Sequence, residues 1–119
     1  MNIVDSLKWR YAVKKFDTEK QLSENQINTL KEAFNLTATS YGLQPLKLLV
    51  IKNKNIQKEL VLHSWNQPQV LEASHLLVIC APKNYTSEEV QKYFELVQKI
   101  RNTPDAIINP FKEFLTKEI

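Results

Sequence analysis

The chain has 119 residues, with 16 Lys or Arg against 13 Asp or Glu, so its formal net charge at neutral pH is +3. This length allows one hydrophobic core and predicts a single domain over residues 1–119. The basic residues are scattered, no apolar run reaches the roughly 20 residues of a membrane span, and the amino terminus lacks a signal-peptide pattern, so we expect a cytoplasmic protein that binds neither nucleic acid nor membrane.

Helix and strand patterns alternate along the first half of the chain. Ile3–Trp9 has apolar residues at helical spacing and predicts a short first helix. Ser23 and Gln26 have the spacing of a capping box and predict the start of a second helix, which ends around residues 36–40. The apolar segment 46–51 predicts a strand, and residues 53–63 predict a third helix.

In the second half, a fourth short helix is expected before a near-continuous apolar run at residues 73–81. Such a run predicts a strand that is covered on both faces and lies centrally in its sheet. Thr86 and Glu89 form another capping-box pattern, which begins a helix that runs to about residue 101. A last helix should follow Thr103-Pro104, and its apolar face should be exposed without a partner, which predicts association or poor stability. That face contains Ile108, Phe111 and Leu115.

Several classes of site are excluded by composition. Gly42 is the only glycine, so the sequence contains neither a GxGxxG fingerprint nor a Walker A loop. One cysteine and two histidines give no metal-ligand cluster, and we predict no metal site. His63 and His75 are expected to be structural hydrogen-bonding residues, and Cys80 is expected to be a buried strand thiol. No serine lies in a nucleophile elbow, which argues against a hydrolase.

Three short segments carry polar groups that suit a bound ligand. Arg10 and Lys14 follow the first helix and can direct two cations at one anion, although such pairs are also common on solvated surfaces. The loop Ser40–Pro45 offers hydroxyl, glycine and amide groups for a ribityl chain or a phosphate, as many loops do. Asn66 and Gln69 can both donate and accept, which matches the N–H and C=O edge of a flavin pyrimidine, although amides at helix ends are usually only solvated.

Together these segments resemble the FMN-dependent nitroreductase family. In that family an arginine, a His or Tyr, a small residue and a lysine open the FMN site, and they correspond here to Arg10, Tyr11, Ala12 and Lys14. The resemblance implies that Arg10 binds the FMN phosphate and that Lys14 contacts the flavin ring. Lys14 would then stabilise the negative charge of the reduced flavin at its N1 and O2 edge.

The other two segments also have counterparts in the family. A family Pro-Ser-Ser loop ending in Gln-Pro corresponds to residues 38–40 and 44–45, where alanine and threonine replace the proline and the first serine. This loop usually reaches the cofactor held mainly by the partner subunit, which makes Thr39, Ser40 and Gly42 expected contacts. Asn66 matches an amide that pairs with the flavin pyrimidine, and Gln69 lies where some members have a lysine.

The resemblance implies an α+β nitroreductase-like fold, with helices packed around a central, mostly antiparallel sheet, and a chain that ends after the first half of that fold. It also implies a homodimer with FMN as cofactor and NADH or NADPH as co-substrate. Hydride would pass through the flavin to a nitroaromatic, quinone or similar acceptor by a ping-pong mechanism, with no catalytic side chain. The alternative is a truncated, catalytically silent fragment or a small flavin- or partner-binding module.

Overall fold

Six α-helices, one short 3₁₀ turn and two strands make up the chain in the computed structural model, which describes residues 2–119. In chain order they are α1 (Ile3–Trp9), α2 (Glu24–Leu36), the 3₁₀ turn (Ser40–Gly42), β1 (Lys47–Ile51), α3 (Lys54–Leu62), α4 (Gln69–Glu72), β2 (Leu76–Cys80), α5 (Ser87–Arg101) and α6 (Asp105–Glu118). β1 and β2 pair as a two-stranded antiparallel sheet. Each helix and strand expected from the sequence is therefore present.

The helix starts follow from local side-chain chemistry. The Ser23 Oγ accepts the Gln26 N–H at 3.3 Å and the Gln26 Oε1 accepts the Ser23 N–H at 2.9 Å, so the predicted capping box of α2 is formed. Thr86 and Glu89 form the same box at α5. Hydrogen bonds from the Thr86 hydroxyl and backbone hold the pKa of Glu89 below its ordinary value of 4.5.

The chain divides into two compact units. The first unit contains the residues up to Glu32 together with Leu48–Val78, and the second unit contains Ala33–Lys47 together with Ile79–Ile119. In the first unit, α3 packs against α4, and Ile27, Gln57 and His75 are buried. The predicted single domain thus contains two compact units.

The second unit is built on the packing of α5 against α6. Its core contains Leu43, Val90, Phe94, Ile108 and Leu115. The prediction of an exposed stripe on the last helix is wrong for two of its residues, because Ile108 is 5% exposed and Leu115 is 0% exposed. The reason is that α5 of the same unit covers this face, while Phe111 remains 41% exposed.

The prediction that β2 is covered on both faces is also wrong. Ile79 is 63% exposed, and the other residues of this strand are partly buried. No third strand pairs with β2 among residues 2–119, so the strand is not central in its sheet, and Cys80 is only half-buried.

Candidate functional site

The nine ligand-binding residues expected from the sequence divide between the two units. Six belong to the first unit, namely Arg10, Tyr11, Ala12, Lys14, Asn66 and Gln69. Three belong to the second unit, namely Thr39, Ser40 and Gly42.

In the first unit, the segment after α1, residues 10–16, is joined to α4 by a hydrogen bond. The chain leaves helical geometry at Arg10, whose N–H donates to the Ser6 carbonyl at 3.0 Å. Further along, the Phe16 N–H donates to the Glu72 Oε2 at 2.9 Å. This bond fixes the carboxyl end of the segment to the last residue of α4.

The two cationic side chains on this segment, Arg10 and Lys14, are available to bind an anion. Arg10 and Lys14 are exposed, and neither forms an ion pair within the part of the chain that the structure describes. Tyr11 is 80% exposed and Ala12 is exposed as well. An incoming anion would therefore break no existing salt bridge.

The turn after α3 contains two successive residues in the left-handed region. Trp65 has φ 52° and Asn66 has φ 56°, and the Asn66 N–H donates back to the Val61 carbonyl at 3.0 Å. Asparagine tolerates this geometry, whereas tryptophan there is strained by about 1–2 kcal/mol. Trp65 is 92% exposed, so burial does not offset the strain. Strained residues of this kind occur preferentially at functional sites.

These two segments line one cleft, which we call the first-unit cleft. It is a shallow depression, largely open to solvent, with a volume of about 610 Å³. Gln69 lies in its wall, and the Gln69 Oε1 is buried without a hydrogen-bond partner. The lining residues are Val13, Phe16, His63, Ser64, Trp65, Gln67, Gln69 and Val70.

Not every predicted residue reaches the first-unit cleft. Gln69 lines it directly, and Lys14 follows the lining residue Val13 in sequence. Asn66 is exposed and lies between two lining residues without being one itself. Gln69 is thus the one residue predicted in this unit that lines the cleft, whereas Arg10, Tyr11, Ala12 and Lys14 are not part of the lining.

Some lining residues were missed by the sequence analysis. Phe16 and Trp65 are aromatic residues close to the predicted polar segments, and that proximity was the available signal, because aromatic faces commonly line small-molecule sites. His63, which we expected to be structural, is exposed and lines the cleft. His75 does have a structural role, because it is 8% exposed and its Nδ1 lies 2.7 Å from the Ser74 Oγ.

In the second unit, the three predicted residues lie on the loop around the 3₁₀ turn. The Thr39 Oγ1 accepts the Gln44 N–H at 2.8 Å, and the Thr39 carbonyl accepts the Gly42 N–H at 3.0 Å. Gly42 has φ 71°, and a Cβ there would lie 3.3 Å from the Tyr93 Oη. Glycine is favoured at this position by its backbone angle, and an added Cβ would make the Tyr93 side chain shift slightly.

A groove of about 430 Å³ adjoins this loop. Thr39 is half-buried in its wall, whereas Ser40 and Gly42 are exposed outside it. The lining residues are Phe34, Asn35, Thr37, Ala38, Thr39, Gln44, Leu46 and Ile79. The Thr39 hydroxyl already accepts a bond within the loop, and its proton remains available to a ligand.

Residues 2–119 contain no group of three or more His, Cys, Asp or Glu side chains that could hold a metal ion. None of the helices described there is both long enough and apolar enough to cross a membrane.

Comparison with known proteins identifies related sequences. The model of the nitroreductase family matches residues 7–112. A provisionally named NAD(P)H nitroreductase of Staphylococcus epidermidis is 36% identical over 116 residues, which are 94% of this chain and 53% of the relative. A similarly named protein of Staphylococcus haemolyticus is 36% identical over 118 residues, or 96% of this chain and 54% of the relative. The chain thus spans about half the length of these curated relatives.

Solved structures share the fold. A nitroreductase-like protein from Streptococcus mutans superposes with a TM-score of 0.79 at 21% identity, covering 98% of this chain and 58% of that one. A provisionally named nitroreductase from Exiguobacterium sibiricum, crystallised in complex with FMN, superposes with a TM-score of 0.75 at 16% identity, covering 99% of this chain and 56% of that one. The expected α+β nitroreductase-like fold is confirmed.

Proposed function

Because this chain belongs to the nitroreductase family, we propose that it acts as an FMN-dependent oxidoreductase. In this proposal, hydride passes from NADH or NADPH to a nitroaromatic, quinone or similar small-molecule acceptor in a ping-pong sequence. The names of the staphylococcal relatives support the use of NAD(P)H, and the FMN complex of the Exiguobacterium protein supports the cofactor.

The observation that carries the proposal is the unpartnered Oε1 of Gln69, a residue that lines the first-unit cleft. The Gln69 Oε1 is buried and receives no hydrogen bond, which is unfavourable for a carbonyl oxygen. The terminal torsion of a glutamine is broad, so the carboxamide can rotate to meet a donor in the cleft. The N3–H of a flavin pyrimidine is such a donor, and the residues present therefore fit FMN.

The cations of the 10–14 segment fit the charge of the same cofactor. Arg10 can form a bidentate contact with the phosphate, which suits its planar guanidinium. Lys14 can lie against the N1 and O2 edge of the flavin and stabilise negative charge there. When bound, FMN would supply the hydride-transfer chemistry. The protein residues thus bind and polarise, and no side chain is assigned as acid or base.

A homodimer is part of the proposal. Thr39, Ser40 and Gly42 would then contact the FMN held mainly by the partner subunit. Apolar residues of α1 support an association surface, because Ile3 is 77% exposed and Trp9 is 78% exposed, and α1 buries none of its residues. Light scattering coupled to size-exclusion chromatography tests this part directly.

The experiment that tests the function is reconstitution with FMN. The purified protein is mixed with FMN and desalted, its visible spectrum is recorded, and NADH or NADPH is then added without oxygen. We expect a protein-shifted flavin spectrum that bleaches with one of the nucleotides and returns when a quinone is added. A Gln69→Leu variant should retain less flavin than the wild type. A colourless wild type would overturn the proposal and favour the silent fragment or partner-binding module.

A further inference from the structure

Gln57 is a polar residue in the interior of the first unit. It lies on α3 and is 0% exposed. The Gln57 Nε2 donates to the Val70 carbonyl at 2.9 Å and to the Ala73 carbonyl at 3.0 Å. The Gln57 Oε1 is buried without a partner. A buried polar atom without a hydrogen-bond partner is unfavourable, and the two bonds that Gln57 donates offset that cost.

Lys54, one turn earlier on α3, contacts the same segment. Its Nζ donates to the Leu71 carbonyl at 3.0 Å and also to the Ala73 carbonyl. Helix α4 has only four residues, so most of its carbonyls have no partner within the helix. Side-chain donors from α3 therefore replace the missing helical hydrogen bonds, and we call Gln57 and Lys54 the α3 clamp.

Helix α4 is connected to two parts of the lining of the first-unit cleft, Gln69 and Phe16. Gln69 is the first residue of α4, and Glu72, its last residue, accepts the Phe16 N–H. The α3 clamp donates to the carbonyls of residues 70, 71 and 73. Residues 70 and 71 lie between Gln69 and Glu72 in the chain, and residue 73 directly follows Glu72. A shift of α4 would move the Gln69 carboxamide and the anchor of the 10–16 segment together.

We propose that Gln57, with Lys54, is a positioning residue that sets the Gln69 carboxamide for the flavin. This inference rests on the proposed function. Gln57 touches no ligand itself and acts through the main chain of α4. A buried leucine of similar size would pack there without an unpaired acceptor, so the glutamine is explained by the two carbonyls that it holds.

The test is a double-mutant cycle on FMN affinity, measured by quenching of flavin fluorescence. Gln57→Leu should raise the dissociation constant about three- to tenfold, the equivalent of one neutral hydrogen bond. In a Gln69→Ala background, the same Gln57→Leu change should leave the dissociation constant unchanged. No effect of Gln57→Leu alone, or an equal effect in both backgrounds, would overturn the proposal, because a merely structural loss would act without Gln69.

Gln91→Leu is the matched control, because Gln91 is a partly buried glutamine of the second unit whose Nε2 donates to Glu95. It should leave FMN affinity unchanged. If it instead weakens binding as much as Gln57→Leu does, the effect is general to such changes and the positioning role is refuted.

Hydrogen exchange separates this inference from the proposed function. Without FMN, Gln57→Leu should speed amide exchange in residues 70–73 at least tenfold and leave the α5 amides unchanged. Unchanged exchange in residues 70–73 would overturn the clamp even if the wild type binds FMN. A wild type that binds no FMN would overturn the proposed function and the role toward flavin, whatever the exchange data show of the clamp.

Discussion

Replacing Lys14 with methionine is expected to weaken FMN binding about tenfold. A hydrogen bond to a charged group contributes about 1.5–3 kcal/mol, and each 1.4 kcal/mol corresponds to a factor of ten. Lys14 is exposed, so solvent screening favours the lower end of that range. No carboxylate pairs with it among residues 2–119, so binding has no salt bridge to break and gains the whole screened attraction.

Lys15→Met is the matched control, because it removes the same charge from the adjacent exposed residue. Dissociation constants for FMN would be measured by flavin fluorescence for the wild type and both variants at low and moderate salt. We expect Lys15→Met to change affinity less than twofold at moderate salt, where long-range attraction is screened within about 10 Å. Equal losses in the two variants would refute a specific contact, and an unchanged Lys14→Met affinity would remove Lys14 from the flavin site.

Three further predictions concern stability, each measured as the free energy of unfolding in urea. Gly42→Ala should lose about 1–2 kcal/mol, because alanine is strained at φ 71° and its Cβ approaches Tyr93; an unchanged value would contradict the loop geometry. Leu115→Ala should lose about 2–5 kcal/mol, because Leu115 is fully buried, and a loss below about 1 kcal/mol would show that the core is packed differently. The pKa of Glu89 is lowered in the folded state, so its stabilisation is present above its ordinary value of 4.5 and is lost as the pH falls through the lowered value. Glu89→Gln should therefore flatten the pH dependence below pH 4.5, and an unchanged pH profile there would exclude Glu89 as its source.

Helix starts were predictable because their causes lie within four residues of sequence. Ser23 with Gln26, and Thr86 with Glu89, each satisfy backbone N–H groups of their own helix, and the structure forms both capping boxes. No contact with a residue distant in sequence is needed to predict such a helix start. The same reasoning explains why the bounds of α2 and α5 agree with the sequence analysis.

Burial was less predictable because it depends on which surface covers each apolar face. The spacing of Ile108 and Leu115 correctly indicated one apolar face on α6, but it carried no information that α5 would cover that face. The apolar run around Ile79 indicated a buried strand, yet Ile79 is 63% exposed. An apolar pattern shows that a face favours burial, and the partner that buries it is a property of the tertiary structure.

The candidate site shows the same division between local and distant causes. Gln69 was predicted from the sequence because its carboxamide lies in a segment that resembles the family, whereas no role was predicted for Gln57. The partners of Gln57 are main-chain carbonyls 13 and 16 residues away, and every residue type carries such a carbonyl. The available signal was its place on α3, because Gln57 shares a helix face with Leu60 and Val61. A lone carboxamide on an apolar helix face therefore indicates a buried main-chain carbonyl that it binds. In this chain that carbonyl belongs to α4, the helix that begins at Gln69.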